Sequence, residues 1–253
     1  MGYEYNKRIG QNGSIEKNKM KLLITTRADN KVSEITEKTH STIRAYADKC
    51  GADFSILENE SECKIGNGKH HFMIMELYHL LDEYDRILCV DSDILIKEDC
   101  PNLFDIVSYE CVGTVYEDKG SRADERYVRI REIQEIFGDI GWKNGYINTG
   151  VFLVSKPHKD IFQKINGEFW VGRGFDDVHL GYQIKRNNIC IQELSYKFNH
   201  MTMFSEEWNG SPDRFDSHII HYAGAGIFES GIHNKEIQIS RDKERLSKRR
   251  NIV

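Results

Sequence analysis

The sequence predicts an α/β domain with a mixed, mainly parallel central sheet flanked by helices, and three observations carry that prediction. Strand-like and helix-like stretches alternate from residue 21 onward. Residues 84–96, YDRILCVDSDILI, join two apolar runs through Asp91-Ser92-Asp93. Over 253 residues, 39% hydrophobic and 11% aromatic content suffices for one sizeable core. With only 3 prolines and no low-complexity tract, a string of small modules is not expected.

In chain order, residues 21–26 (KLLITT) are a short run rich in β-formers, closed by Arg27-Ala28-Asp29-Asn30. Val32, Ile35, Thr39, Ile43, Tyr46 and Ala47 then recur at helical spacing up to Gly51, and 52–57 returns to strand character. The opening is therefore a β-α-β unit. Ligands bind beyond the carboxyl ends of parallel strands, which makes Thr25, Thr26 and Arg27 a candidate ligand edge; the plain alternative is an ordinary strand-to-helix turn. No G-x-G-x-x-G or P-loop pattern follows, which counts against a dinucleotide or ATP-phosphate cradle.

Phe72, Met73, Met75, Leu77, Leu80 and Leu81 predict one helix over 70–81 that delivers the chain into the acidic stretch, with Lys69, His70 and His71 at its start. Two carboxylates one residue apart at the end of a buried strand need compensation, since burying one alone costs on the order of several kcal/mol. A hard divalent cation, Mg2+ or Mn2+, supplies it most simply. An acidic surface turn is the alternative, but such turns are not normally bracketed by apolar runs. Residues 102–107 read as a helical turn after Pro101, 111–116 as a strand, and the charge-dense 117–135 as a solvated loop and helix face.

Asn148, Thr149 and Gly150 are expected to bend the chain before a strand over 151–154, leaving small polar groups at a sheet edge to read a sugar hydroxyl. Asp176 and Asp177 open a helix whose apolar face is Val178, Leu180 and Ile184; they either complement its dipole or act on a sugar. After a strand over 189–194, Tyr196, Phe198, His200, Phe204 and Trp208 form a sugar-stacking wall or simply core. Residues 218–226, HIIHYAGAG, are a strand running into a glycine-rich turn, with His221 poised as a third metal ligand; an imidazole suits Mn2+ better than Mg2+.

A net charge of -5 argues against a general nucleic-acid binder. The 6 cysteines show no C-x-x-C, so reduced thiols and a cytoplasmic location are the default. No stretch approaches the ~20 apolar residues of a membrane span, and the start lacks the apolar segment of a signal peptide. Three segments are expected: a flexible extension over 1–19, with Met20 a second candidate start; a main domain over 20–230; and a basic helix or tail over 231–253. The tail carries Lys243, Arg245, Lys248, Arg249 and Arg250 and is a candidate for peripheral contact with a membrane surface.

Taken together, the strand with Thr25 and Thr26, then YDRILCVDSDILI, INTGVFLVSK, GFDDVHLGYQ and HIIHYAG, resemble in order the family 8 glycosyltransferases and their GT-A-fold relatives, over roughly residues 20–226. The resemblance implies a GT-A fold with a Rossmann-like N-terminal half. It implies that Asp91, Asp93 and His221 bind Mn2+ (or Mg2+), which holds the diphosphate of a nucleotide sugar, most simply a UDP-sugar. Thr25, Thr26, Arg27 and Ser92 would face the nucleotide, Asn148 and Thr149 the transferred sugar, and Asp176 or Asp177 the sugar or the reacting carbon. Gly224 and Gly226 match the turn near the diphosphate. The implied activity is transfer to a glycan, lipid or protein acceptor, with retention of configuration as in family 8; Asp176 or Asp177 within reach of the acceptor hydroxyl opposite the leaving group would instead act as general base in an inverting reaction. Two departures stand out: Ile74 and Met75 occupy the place of a basic residue before the D-x-D, and Phe228 and Glu229 that of a lysine after H-Y-A-G. Neutralising the diphosphate then falls to the metal and to other basic residues such as Lys69 or Arg122. A nucleotidyltransferase is disfavoured because TTRADNK is not a glycine-rich basic loop; a non-catalytic sugar-nucleotide-binding module is the third reading.

Overall fold

The computed structural model describes residues 20–58, 69–224 and 229–250, so the 1–19 extension and Gly226 lie outside the described residues. The chain opens with β1 (Leu22–Arg27), α1 (Ser33–Cys50) and β2 (Asp53–Leu57). Gly51 ends α1 in the left-handed region, at φ 64°, donating its N–H back to Asp48. The helix expected over 70–81 divides into a 3-10 stretch, Lys69–Glu76, and α2 (Leu77–Glu83). Phe72, Met73, Ile74 and Met75 are all buried, so this segment buries apolar groups on more sides than the stripe of a surface helix provides.

Next come β3 (Arg86–Val90), β4 (Ile94–Ile96), α3 (Leu103–Ile106), β5 (Cys111–Tyr116), α4 (Ala123–Phe137) and β6 (Ile147–Ser155). The remainder is α5 (Phe175–Arg186), β7 (Cys190–Glu193), β8 (His200–Met201), α6 (Thr202–Trp208), β9 (Ile219–His221) and α7 (Lys235–Arg250). The main sheet has the order β2-β1-β3-β6-β5-β7, with β6 antiparallel to both its neighbours and the other pairs parallel. A second sheet has the order β4-β9-β8. Alternation along β1, β3 and β6 sends Ile24, Leu88, Val90, Val151 and Leu153 to the face covered by α1 and α3. Leu23, Ile87, Cys89, Phe152 and Val154 go to the opposite face, with α2 and α5.

Several expectations need correction. Asn148-Thr149-Gly150 do not precede the strand but lie within β6, whose register on β5 shifts there from Gly113↔Leu153 to Val115↔Asn148, so the irregularity expected ahead of the strand falls inside it. Most charges of the run 117–135 are at least partly exposed, but Glu117 and Arg126 are buried, and Ile130 and Ile133 join the core. The cysteines are not all reduced. Cys111 and Cys190 are register partners on β5 and β7, with Cα atoms 4.6 Å apart, and they form a disulfide. That bond removes the thiol-based ground for a cytoplasmic location. The basic tail packs back on the domain through buried Gln238, Ile239 and Asp242, with Asp242 accepting from Arg214 and Tyr222. Among the described residues, no helix is long and apolar enough to cross a membrane.

Candidate active site

The two sheets meet at the acidic pair. The Asp91 N–H donates to Gly150 O, prolonging the β3–β6 pairing by one residue, while Tyr222 N–H donates to Asp93 O just beyond the β4–β9 pair Ile94↔His221. The stretch between β3 and β4 is thereby fixed at both ends, with His221 across from it. The His221 Nε2 stands 3.5 Å from Asp91 Oδ2 and 3.3 Å from Asp93 Oδ1. One ligand atom from each of Asp91, Asp93 and His221 lies within 4.8 Å of the others. The fold thus brings together groups separated by well over a hundred residues.

The tautomer of His221 follows from a chain of hydrogen bonds anchored on the backbone. Gly150 N–H can only donate, so Asn148 meets it with Oδ1 (3.0 Å) and gives Nδ2 to the Glu117 carboxylate (3.1 Å). Asn199 then donates Nδ2 to the same Asn148 Oδ1 (2.8 Å) and presents its own Oδ1 to His221 Nδ1 (2.8 Å). Nδ1 therefore carries a proton, and Nε2 is the nitrogen turned on the two carboxylates: it holds a proton against them in the charged ring and frees its lone pair for a metal in the neutral one. Two oxygen donors and one such nitrogen fit a divalent cation of the Mn2+ or Mg2+ class.

Basic side chains reach both acids. Arg27, at the end of β1, is buried and spans Asp91 through Nη2 and Asp176 through Nη1, the latter at 2.5 Å. Lys235, the first residue of α7, donates to Asp93 Oδ2 at 2.8 Å. Burial works against charge on Asp93, but His221 and Lys235 hold its pKa well below the ordinary carboxylate value. Burial likewise opposes charge on His221, yet Asp93 and Asp91 raise its pKa.

Asp176 and Asp177 open α5, where Gly174 adopts φ +81° and a Cβ would meet Tyr146 Oη at 2.4 Å. The two acids are unlike. Against a burial penalty, Asp176 is kept ionised by Arg27, His71 and Thr149, with His71 Nδ1 at 3.4 Å and Thr149 Oγ1 at 2.8 Å. Asp177 accepts from the Thr149 N–H at 2.8 Å, with the Thr149 hydroxyl shared between it and Asp176, and burial, with Asp176 and Glu117 nearby, pushes it up to about 7. A cavity of about 540 Å³ opens beside them, lined among others by His71, Arg129, Arg173 and Phe175.

The other expected site residues are placed as follows. Thr25 and Thr26 are fully buried at the end of β1; Thr25 Oγ1 bonds Ser55, and Thr26 Oγ1 has no partner among the described residues. The Ser92 carbonyl accepts from Thr39 at 2.6 Å. Gly224 sits in the left-handed region at φ +69° with open space around it. Arg122 is not at the acidic pair; it is engaged by Glu117 and Glu125 on the far side of Asn148. Of the proposed stacking wall, His200 is buried, Phe198 packs on the core, and Phe204 stacks on Trp208 beneath the Arg122 guanidinium.

Asn199, Glu117 and Lys235 are the residues that the sequence did not reveal. Glu117 belongs to a charge run with no distinguishing spacing, and Asn199 and Lys235 follow strands and loops whose lengths alone do not locate them.

Known proteins share the fold that carries this site. The structure is similar to that of a glycosyltransferase involved in the glycosylation of the major capsid of PBCV-1, with TM-score 0.54 and 15% identity over 81% of this chain and 95% of that one. It is also similar to the bifunctional glycosyltransferase WbbM (TM-score 0.59, 13% identity), covering 91% of this chain and 52% of WbbM. An active-site mutant of LgtC gives TM-score 0.53 and 13% identity over 87% of this chain and 95% of that one. At these identities the likeness shows the fold, which is that of a GT-A glycosyltransferase. The model of glycosyl transferase family 8 matches residues 3–170, and the chain belongs to that family. No curated protein matches it.

Proposed function

We propose that this glycosyltransferase takes a sugar from a nucleoside-diphosphate sugar, in the first place a UDP-sugar, and transfers it to a glycan, lipid or protein acceptor. Asp91, Asp93 and His221 hold Mn2+ or Mg2+. The single observation that carries this reading is the His221 imidazole, whose Nε2 is turned on both acids by a hydrogen-bond chain that begins at a backbone N–H. When bound, a divalent cation acts as a Lewis acid on the departing diphosphate, worth on the order of several kcal/mol.

The chain's own residues do the rest. Arg27 and Lys235 supply positive charge beside the metal ligands, which answers the two basic positions that Ile74, Met75, Phe228 and Glu229 leave unfilled. Asp176, pinned in its ionised state, stabilises positive charge developing at the anomeric carbon. It shares a guanidinium with the metal ligand Asp91, which sets it on the donor side and supports retention of configuration over a base acting opposite the leaving group. Asn148 and Thr149 flank the sugar, and the cavity by Asp177 receives the acceptor.

Nucleotide sugars screened by thermal shift with and without Mn2+, followed by an assay for released free nucleotide, test the proposal. A UDP-sugar should stabilise the protein only with metal and be turned over. Asp91→Ala should abolish metal-dependent turnover with the fold intact; full activity in that variant overturns the assignment.

A further inference from the structure

Both acids of the metal trio already carry a cation of the chain itself: Arg27 Nη2 on Asp91, and Lys235 Nζ on Asp93 at 2.8 Å. Neither contact is a loose surface pair, since the Arg27 side chain is 8% exposed and that of Lys235 20%. Packing of the C-terminal helix also holds Lys235 in place. Two turns along α7, the fully buried Asp242 accepts from Arg214 Nε (2.7 Å), Tyr222 Oη (2.8 Å) and Gln238 Nε2 (2.7 Å), and Tyr222 directly follows the ligand His221. α7 is thereby fastened to the strand end that bears the imidazole. The segment 235–250 lies beyond the residues that match the family model, 3–170.

The charge balance at this spot has a consequence. Asp91, Asp93 and Asp176, the last sharing the Arg27 guanidinium with Asp91, carry three negative charges, against which stand the guanidinium and the ammonium. A divalent cation taken by the same carboxylates would leave two protein cations facing it at close range, in a place where water screens poorly. Lys235 is then left without its counter-ion and Arg27 with Asp176 alone, so both are open to another anion. A nucleoside diphosphate offers non-bridging oxygens, which guanidinium and ammonium groups bind in charge-assisted hydrogen bonds.

We infer that Arg27 and Lys235 are exchangeable counter-ions, resting on Asp91 and Asp93 until metal and nucleoside diphosphate arrive, and that the exchange makes the two ligands bind as a coupled pair, each weak alone. This rests on the donor and metal assignment made above. The coupling is reciprocal, the nucleotide tightening the metal by the same factor as the metal tightens the nucleotide. Lys235 is a positioning and charge-exchange residue in this scheme, and α7 a part of the donor site.

The test is a set of Mn2+ titrations followed by the electron paramagnetic resonance of free Mn2+, with and without UDP, and UDP titrations by calorimetry. In the wild-type protein UDP should tighten Mn2+ by about tenfold or more. Lys235→Met should act with opposite signs on the two ligands: Mn2+ alone binds about three- to tenfold tighter because a competing cation has gone, whereas UDP in the presence of Mn2+ binds about tenfold weaker. Lys235→Arg should restore the wild-type pattern. A lysine that only fastens α7 would shift both affinities the same way or neither, and that result overturns the inference. If wild-type protein binds Mn2+ and UDP independently, the exchange fails while the metal site stands; if it binds neither, the donor and metal assignment itself fails.

Discussion

Gly150 lies against the imidazole of His221: a Cβ on Gly150 would stand 2.4 Å from Cε1 and 2.8 Å from Nδ1 of that ring. The backbone conformation of Gly150 is not left-handed, so the glycine is required by contact and not by φ. Gly150→Ala must push the ring off Asn199 or off the acids. The expected cost is about 1–3 kcal/mol of stability, together with a large loss of Mn2+ affinity. Chemical denaturation and Mn2+ titration of the variant read both. Unchanged metal affinity would show that the ring position does not matter.

Asn199 acts through His221. Replacing it by Leu leaves Nδ1 without its acceptor and frees the ring to turn or to change tautomer. Loss of such a partner behind a ligating histidine costs about 10–100-fold in metal affinity. Calorimetric titration with Mn2+ checks this; Asn199→Asp, which keeps the acceptor for Nδ1 but sets an oxygen in place of the donor against Asn148 Oδ1, should recover part of the loss. Equal losses in the two variants would argue for simple packing damage.

How far the site can be read from the sequence follows from where its information lies. Asp91 and Asp93 stand out because apolar runs flank them on both sides, and His221 because it ends a strand, so local pattern locates all three members of the trio. Arg27 is legible as a strand-end residue, but that it spans two carboxylates 64 and 149 positions away is a tertiary fact. Lys235 looks like one more charge of a basic tail, and Glu117 like one more acid of a solvated run, because a sequence shows neither what a helix packs upon nor which charge is buried. The disulfide escapes for the same reason: the 79 positions between Cys111 and Cys190 hide that β5 and β7 are parallel neighbours. Asn148-Thr149-Gly150 stand out by composition, but that they lie inside β6, where its register on β5 shifts, and not ahead of a strand depends on a partner strand the sequence does not show.

Asp177 is a half-buried carboxylic acid that the fold tolerates at a cost. Its pKa in the folded state is about 7, raised by burial, Asp176 and Glu117, above its ordinary value of 3.8. The folded protein therefore holds a proton that the unfolded chain has released between about pH 4 and 7, and stability falls as pH rises through that window. Asp177→Asn mimics the protonated acid at every pH. It should stabilise the protein at pH 8 by about 2 kcal/mol, a Tm gain of about 4–8 °C, with little gain at pH 4, while lowering transferase activity. Thermal scans of both proteins at the two pH values decide it; a gain that does not depend on pH would remove the titration argument.

His179 gives a pH dependence of the opposite sign. It is fully buried on α5, its Nδ1 accepts from the Trp170 N–H at 3.3 Å and its Nε2 lies 2.9 Å from Gln163 O, so the neutral ring with its proton on Nε2 uses both nitrogens. Protonating Nδ1 would set one N–H against another. Burial accordingly lowers the pKa to about 4 from the ordinary 6.5. The unfolded chain then binds more protons across that interval, so the stability is complete above about pH 6.5 and is lost as pH falls toward 4, by roughly 3 kcal/mol at the limit. Carboxylates with depressed pKa values, Asp93 and Asp176, lose their contribution lower on the scale, below the ordinary carboxylate value. His179→Gln should therefore flatten the stability curve between about pH 6.5 and 4.5, when urea unfolding is measured at intervals across that range, and leave the steeper loss at lower pH in place. A variant curve parallel to wild type throughout would mean that His179 is not the group titrating in this window.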